Sequence, residues 1–342
     1  MLTSFYIGAC SQNENGGIYG YDRNCRQTFF EPLRGVSYLA FSNDKTLLYA
    51  VCADDGINKA VIYQIREDGS IYYLDARETL GKSTCHLTVD PDNKFLYCAS
   101  YRTGTINEFR LENGLFAEPG PGRIIETTGS VGPQEDRQDR SHAHCTVFTP
   151  DQKYLCVVDL GVDEVQLFPF TRGVGIPEEP SFRYHSPVPG AGPRHLLFAP
   201  DGKIAWLANE LNNTVSSLRY EAGTLTHIQT WSTIPEDFTA FTKVAAVRLS
   251  HNGRHLCVSN RGHDSIACYY VRDNGGLSLY DIVSSEGISP RDINFLPDSK
   301  TSVACNETSD TVQFFQYNQV DGKLTFKHET EAMPGPLCAL IV

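Results

Sequence analysis

The residues of this 342-residue chain that could do chemistry are arginines, histidines and one glutamate at matching points of a repeated phrase. A glutamate or a neutral histidine can act as a base. An arginine can stabilise an oxyanion or bind a phosphate or carboxylate through paired hydrogen bonds. The candidates are Arg194, Glu210, Arg261 and Arg291, together with His142, His144 and His195. No Gly-x-Ser-x-Gly element offers a serine nucleophile, and no ligand-spaced motif indicates a metal.

A phrase of two apolar runs joined by a polar turn occurs six times and must position these residues. It reads YLAFSNDKTLLYAVCA from Tyr38 and HLLFAPDGKIAWLANEL from His195. Such a pair of runs predicts a β-hairpin. The turn residues are Asp44, Asp92, Asp151, Asp201, Asn252 and Asp298, spaced by 48, 59, 50, 51 and 46 residues. Two further runs follow each hairpin, and four strands in about 40–50 residues are typical of a β-propeller blade.

The two ends of the chain supply one more blade. The N-terminal runs YIGAC and GIYGYD resemble second and third strands, and the C-terminal GPLCALIV aligns with the first strand that begins at GPRH. Joining them closes the ring and leaves no open sheet edge. We therefore predict an all-β fold, a single seven-bladed propeller over residues 1–342, with four antiparallel strands per blade.

The order of strands in a blade predicts where the chemical residues lie. The first strand is innermost and successive strands alternate in direction, so first-strand starts and second-strand ends share one face. The position seven residues before each turn is Ser37, Cys85, His144, Arg194, Ala245 or Arg291. The second-strand ends include Asp159-Leu160, Asn209-Glu210 and Asn260-Arg261. The insertions 119–143 and 232–244 enter first strands on the same face, where binding groups usually lie.

These positions predict one pocket at the mouth of the central channel. We assign catalytic roles to His142, His144, Arg194 and Glu210. Substrate-binding roles are predicted for Arg261, Arg291, His195, Asn209, Asn260 and Asp159. For the asparagines, a role as turn residues remains the alternative. The isolated histidines His86, His251, His255 and His263 are interpreted as structural or surface residues.

Composition limits the kinds of partner. The net charge of −12 disfavours nucleic acid, although a local basic pocket could hold a small anion. No apolar run is long enough for a membrane helix, and the first residues do not resemble a signal peptide. The eleven cysteines are odd in number and form no Cys-x-x-Cys pair, which favours free thiols. We expect a cytoplasmic protein without metal, cofactor, nucleic-acid or membrane partner.

Several of these segments resemble the lactonase family of seven-bladed propellers, which includes 6-phosphogluconolactonases and carboxymuconate-lactonizing enzymes. The matching motifs are SHAHCTVFTPDQKYLCVVDLGVDEV at 141–165, GAGPRHLLFAPDGKIAWLANELNNTV at 190–215 and VAAVRLSHNGRHLCVSNRGHDSIACY at 244–269. The resemblance implies that His142 or His144, Arg194, Glu210 and Arg261 line the active site. The second blade departs from the family pattern, with Ser83-Thr84-Cys85-His86 where a proline is usual.

The activity implied by the resemblance is hydrolysis of 6-phosphogluconolactone. Glu210 or a neutral histidine would be the base, Arg194 would stabilise the oxyanion, and Arg261 and Arg291 would bind the anionic group. A muconate-lactonizing reaction could use the same groups on a carboxylate. A non-catalytic propeller that binds a protein is the third alternative, but it would show an aromatic-rich face.

Overall fold

The apolar runs of the repeat form strands, and regular structure in the described residues is entirely β. The computed structural model of the protein describes residues 2–330 and 332–342. The strands form seven sheets, numbered blades I to VII in chain order. No helix in the described part of the chain is long and apolar enough to cross a bilayer.

The first four blades span both ends and the N-terminal half of the chain. Blade I contains β1 (Thr3–Ala9), β2 (Gly17–Asp22), β3 (Gln27–Pro32) and the last strand, β29 (Pro336–Ile341). Blade II contains β4 (Val36–Phe41), β5 (Leu47–Asp54), β6 (Ile57–Ile65) and β7 (Ile71–Glu78). Blade III contains β8 (Thr84–Val89), β9 (Phe95–Ser100), β10 (Thr105–Glu112), β11 (Leu115–Phe116) and β12 (Arg123–Glu126). Blade IV contains β13 (Ala143–Phe148), β14 (Tyr154–Asp159), β15 (Glu164–Pro169) and β16 (Phe182–His185).

The remaining three blades follow the same plan. Blade V contains β17 (Pro193–Phe198), β18 (Ile204–Asn209), β19 (Thr214–Glu221) and β20 (Thr224–Ser232). Blade VI contains β21 (Lys243–Leu249), β22 (His255–Arg261), β23 (Ser265–Val271) and β24 (Leu277–Ser284). Blade VII contains β25 (Pro290–Phe295), β26 (Thr301–Asn306), β27 (Thr311–Tyr317) and β28 (Leu324–Glu329).

Blade I joins the two ends of the chain, as the sequence predicts. Its sheet has the order β29-β1-β2-β3, with Phe5 opposite Ile341 and Ile7 opposite Ala339 in antiparallel register. The inner strands then contact one another around a closed circle, and β29 touches both β25 and β4. The prediction of a seven-bladed propeller is confirmed.

The hydrophobic core is divided among the seven interfaces between blades. Alternate residues of a strand point to opposite faces of its sheet, and here each face packs on a different blade. In β5, Leu48 and Ala50 pack towards blade I, whereas Tyr49 and Val51 pack towards blade III. Burial on both faces explains why the inner strands are apolar throughout instead of alternating with polar residues.

The cysteines serve mainly as small apolar side chains within these interfaces. All eleven lie in the described residues and are free thiols, and eight of them are buried. Burial raises the pKa of the Cys52 thiol to about 12, which keeps it protonated and unreactive. Free thiols agree with the prediction made from their odd number.

The two insertions differ slightly from the predicted ranges. Residues 123–126 of the first insertion form β12, the outer strand of blade III, so the irregular loop is 127–142. The second insertion forms the loop 233–242 between β20 and β21. Each loop leads from the outer strand of one blade to the inner strand of the next.

Candidate active site

The inner strand of every blade begins with a β-bulge, and in three blades the bulged residue is one of the candidate residues. In blade IV, Ala143 pairs with Asp159 and Cys145 pairs with Val158, so His144 is the extra residue. The same shift leaves Arg194 extra in blade V. The bulged residues around the ring are Ser37, Cys85, His144, Arg194, Ala245-Ala246, Arg291 and Leu337. Bulges often redirect side chains beside active sites. This explains why the position seven residues before each hairpin turn holds the residues that the sequence analysis singled out.

Glu210 is the centre of a buried ion cluster. Its Oε2 lies 2.8 Å from Nη2 of Arg261 and 3.0 Å from Nε of Arg194, and its Oε1 lies 2.7 Å from Nη2 of Arg137. The side chains of Glu210, Arg194 and Arg261 are only 3–4% exposed. Burial alone would raise the pKa of Glu210, but the charges of Arg261, Arg194 and Arg137 hold it well below its ordinary value. Glu210 is therefore an ionised anchor for the arginines.

Two buried guanidinium N–H groups in this cluster have no hydrogen-bond acceptor among the described residues. They are the Nε groups of Arg194 and Arg261. Nε of Arg194 is close to Glu210, but its N–H is not directed at the carboxylate, so the contact is an ion pair only. The other ends of both side chains are fixed, since Arg194 donates to the carbonyl of Ala245 and Arg261 to that of Val244, each at 2.8 Å. Buried donors are rarely left unpaired in folded proteins, so these two N–H groups are an exception that a structural role alone does not explain.

His144 faces the same carboxylate. Its Nε2 lies 4.0 Å from Oε2 of Glu210, and its Nδ1 lies 3.8 Å from the sulfur of Cys85. Burial, reinforced by the charge of Arg194, holds the pKa of His144 well below its ordinary value. The imidazole is therefore neutral at physiological pH and can accept a proton.

His142 is held apart from Glu210. Its Nδ1 lies 2.8 Å from the carbonyl oxygen of Tyr101 and its Nε2 lies 2.9 Å from Oδ1 of Asp139. The imidazole also stacks on the Tyr101 ring, with centroids 4.4 Å apart. Both nitrogens are occupied by these contacts, so His142 fastens the loop 127–142 beside the site.

His195 lies deeper, in a layer of aromatic and imidazole rings that crosses the channel. Its ring centroid is 5.6 Å from that of His144 and 5.7 Å from that of His86, which in turn lies 4.1 Å from Tyr38. Nη1 of Arg194 lies 3.0 Å from Nε2 of His195. Burial, followed by the charge of Arg194, keeps the pKa of His195 well below its ordinary value. Uncharged rings therefore lie on the inner side of the buried ion cluster.

The rim of the site carries two further cations. Arg291 contacts Glu307 loosely, with Nη1 3.4 Å from Oε2. Lys243 is paired with Arg261 across β21 and β22, and its pKa is lowered by burial and by the charge of Arg261. The five cations of the site face two carboxylates, which leaves an excess of three positive charges in a chain of net charge −12. The arginines that the sequence singles out therefore contribute to a local concentration of positive charge, and a binding pocket at this place stays a prediction.

Three predicted binding residues make turn contacts instead of joining the cluster. Asp159 accepts hydrogen bonds from the backbone N–H groups of His142 and Gly161. The Asn209 amide donates to Thr214 and Ser216, and the Asn260 amide donates to Thr233 and Ser265. Asn306 in blade VII donates in the same way to Ser285. These contacts favour the turn role, and a substrate contact for the three residues stays a prediction.

The residues that sequence reasoning missed lie in or beside the insertions. Arg137 is in the loop 127–142, the longer of the two insertions, and Lys243 begins β21 directly after the second loop. Only their place in mouth-facing insertions could have identified them. Among the described residues, no group of three or more His, Cys, Asp or Glu side chains could hold a metal ion.

The fold and the site together define a seven-bladed propeller with an arginine–carboxylate–histidine centre at one mouth. The family described as "Lactonase, 7-bladed beta-propeller" matches residues 4–341, and the chain belongs to it. It is 34% identical to the 6-phosphogluconolactonase of Bacillus subtilis (strain 168), over 97% of this chain and 96% of that protein.

Two solved structures extend the likeness. A Lactobacillus plantarum protein has a TM-score of 0.89 and 30% identity, and the match covers 100% of this chain and 100% of that one. The periplasmic gluconolactonase of Pseudomonas aeruginosa has a TM-score of 0.90 and 25% identity, covering 100% of this chain and 99% of that one.

Proposed function

We propose that the protein hydrolyses a sugar-acid lactone, 6-phosphogluconolactone, to the open acid. The observation that carries this proposal is the pair of unpaired, buried Nε–H groups on Arg194 and Arg261 beside a neutral His144. Preorganised donors of this kind stabilise the oxyanion that forms when water attacks an ester carbonyl. The named relatives, a 6-phosphogluconolactonase and a gluconolactonase, support the same reaction.

The residues suggest how the reaction proceeds. His144 takes a proton from water as the oxygen attacks the lactone carbonyl, and the Nε–H groups of Arg194 and Arg261 bind the resulting oxyanion. When the tetrahedral intermediate collapses, the ring C–O bond breaks and His144 returns the proton to the departing hydroxyl. Glu210, 4.0 Å from Nε2 of His144, stabilises the imidazolium between the two steps.

This assignment leaves Glu210 as an electrostatic anchor and not as the base. A carboxylate whose pKa is held well below its ordinary value is a weak proton acceptor near neutral pH. The pKa of His144 is lowered as well, but both oxygens of Glu210 are paired with arginines, whereas Nε2 of His144 faces the negative charge of Glu210, which favours protonation of the imidazole. Of the alternatives open from the sequence, His144 is therefore the base we propose.

The phosphate of the substrate would bind at the rim. Arg291 has one loose carboxylate contact, and Lys243 has a ring contact with Phe241 at 5.8 Å but no ion pair among the described residues. Cations with so little internal neutralisation suit a dianion such as phosphate. We place the protein in the cytoplasm, since its free thiols suit a reducing compartment.

A lactone panel tests the proposal. Purified protein is assayed with 6-phosphogluconolactone, with the same lactone lacking phosphate, and with a muconolactone. We expect acceleration over spontaneous hydrolysis, with the phosphorylated lactone preferred. Lys243→Ala should raise KM for the phosphorylated lactone by about tenfold, the cost of one charge-assisted contact, and should change KM for the unphosphorylated lactone little. Acceleration of the muconolactone alone would refute the proposed activity.

A further inference from the structure

The loop 127–142 is fastened to the blades by a buried amide next to Arg137. Gln138 is 1% exposed, and its Nε2 donates to the carbonyl of Leu160 and to Oδ1 of Asp163, each at 2.8 Å. Its Oε1 accepts from the backbone N–H of Gln134 at 3.1 Å. A side-chain amide with its hydrogen bonds satisfied fixes the backbone on which Arg137 stands.

The carboxylate of Asp163, which holds Gln138, also fixes the turn that leads to Arg194. Asp163 accepts from the backbone N–H groups of Gly190 at 2.5 Å and Gly192 at 2.7 Å. The carbonyl of Gly192 in turn accepts from the backbone N–H of Glu210 at 2.7 Å. Asp163 therefore sets the loop that carries Arg137 in register with the segments that carry Arg194 and Glu210.

The two oxygens of Glu210 are divided between different arginines. Nη2 of Arg137 donates to Oε1 and also to the hydroxyl of Tyr101, at 2.7 and 3.1 Å. Oε2 is left to Arg194 and Arg261. If Oε1 had no partner, the carboxylate could turn and accept the buried Nε–H groups that now have no acceptor.

We propose that Arg137 is a positioning residue, which holds Oε1 of Glu210 so that the Nε–H groups of Arg194 and Arg261 stay available to the substrate. The inference rests on the proposed function, because it assigns those groups to the oxyanion. The loop 127–142 is thereby part of the active site, and the hydrogen bonds of Gln138 and Asp163 keep it in place.

Kinetics of Arg137→Ala test the role. We expect kcat for 6-phosphogluconolactone to fall by about 10- to 100-fold, the scale of a misplaced catalytic group, with KM nearly unchanged. Arg137→Lys should recover part of the loss, because it restores a cation beside Oε1. The matched control is Arg102→Ala, which removes an exposed arginine next to Tyr101 and should leave kcat unchanged. A loss confined to KM would overturn the proposal and make Arg137 a substrate contact.

A crystal structure of Arg137→Ala gives a readout independent of activity. We expect the Glu210 carboxylate to have turned, with both oxygens on Arg194 and Arg261. An unmoved carboxylate would overturn the positioning role. If the wild-type protein hydrolysed no lactone, the proposed function would fail, while the position of Glu210 in this variant would still decide the role of Arg137.

Discussion

Arg194 combines three features that seldom occur together in one side chain. It is 3% exposed, its Nε–H has no acceptor among the described residues, and it is itself the extra residue of a β-bulge. Burial, followed by the charges of Arg291 and Arg261, lowers its pKa to about 9, so it remains a cation at neutral pH. Such a group costs stability in the free protein and is useful only if the substrate supplies its acceptor.

Replacing Arg194 with Ala should therefore lower kcat more than it changes KM. Loss of one oxyanion donor typically costs about 10²- to 10³-fold in turnover. Steady-state kinetics on 6-phosphogluconolactone measure this. The control is Arg254→Ala. Arg254 is an exposed arginine in the turn just before β22, at the end of that strand opposite Arg261, and its replacement should leave turnover unchanged. Unchanged kcat in Arg194→Ala would remove the oxyanion role from this residue.

The inner strands are the elements that connect sequence to site. Each begins at a bulge in the same place of its repeat, so counting from the hairpin turn located His144, Arg194 and Arg291. The same counting could not assign the roles. The low pKa of Glu210 depends on three arginines from different segments, and one of them, Arg137, lies in a loop outside the repeat. The period of the repeat thus predicts which residues of the repeated strands reach the site, but it does not predict which residues of the insertions do so.

The closing strand β29 gives a prediction at the same scale. Deleting residues 338–342 removes most of the strand that pairs with β1 and contacts β25 and β4. The loss opens the ring and exposes the apolar side chains that pack in the same clusters as Cys338 and Ala339 in two blade interfaces, such as Val36 and Ile7. We expect the truncated chain to lose its cooperative thermal transition, measured by circular dichroism.

Deletion of Val342 alone is the matched control, because it lies beyond the end of β29 and should leave the transition nearly intact. A truncated chain, lacking 338–342, that unfolded at the wild-type temperature would show that the ring does not need this closure.

At the scale of the whole molecule, the neutral histidines of the channel link stability to pH. Burial lowers the pKa of His86 to about 3 and those of His144 and His195 well below their ordinary value. In the unfolded chain these histidines take up protons near pH 6.5, whereas the folded protein keeps them neutral. Acidification below pH 6.5 therefore favours the unfolded state, and the stability is recovered as pH rises.

With three such histidines, we expect the free energy of unfolding to fall by up to about 4 kcal/mol as the pH drops from 6 to 5. Chemical denaturation across pH 5–8 measures this slope. His86→Gln should reduce it by about a third, because one of the three groups no longer titrates. A slope that is identical in wild type and His86→Gln would contradict the neutral assignment.

The central claim is that the unpaired guanidinium groups bind the reacting carbonyl while the rim cations bind phosphate. A crystal structure with the product 6-phosphogluconate tests it most directly. We predict a carboxylate oxygen within hydrogen-bond distance of Nε of both Arg194 and Arg261, and the phosphate beside Lys243 and Arg291. Product bound on another face of the ring, or with its phosphate against Arg194 and Arg261, would contradict the account.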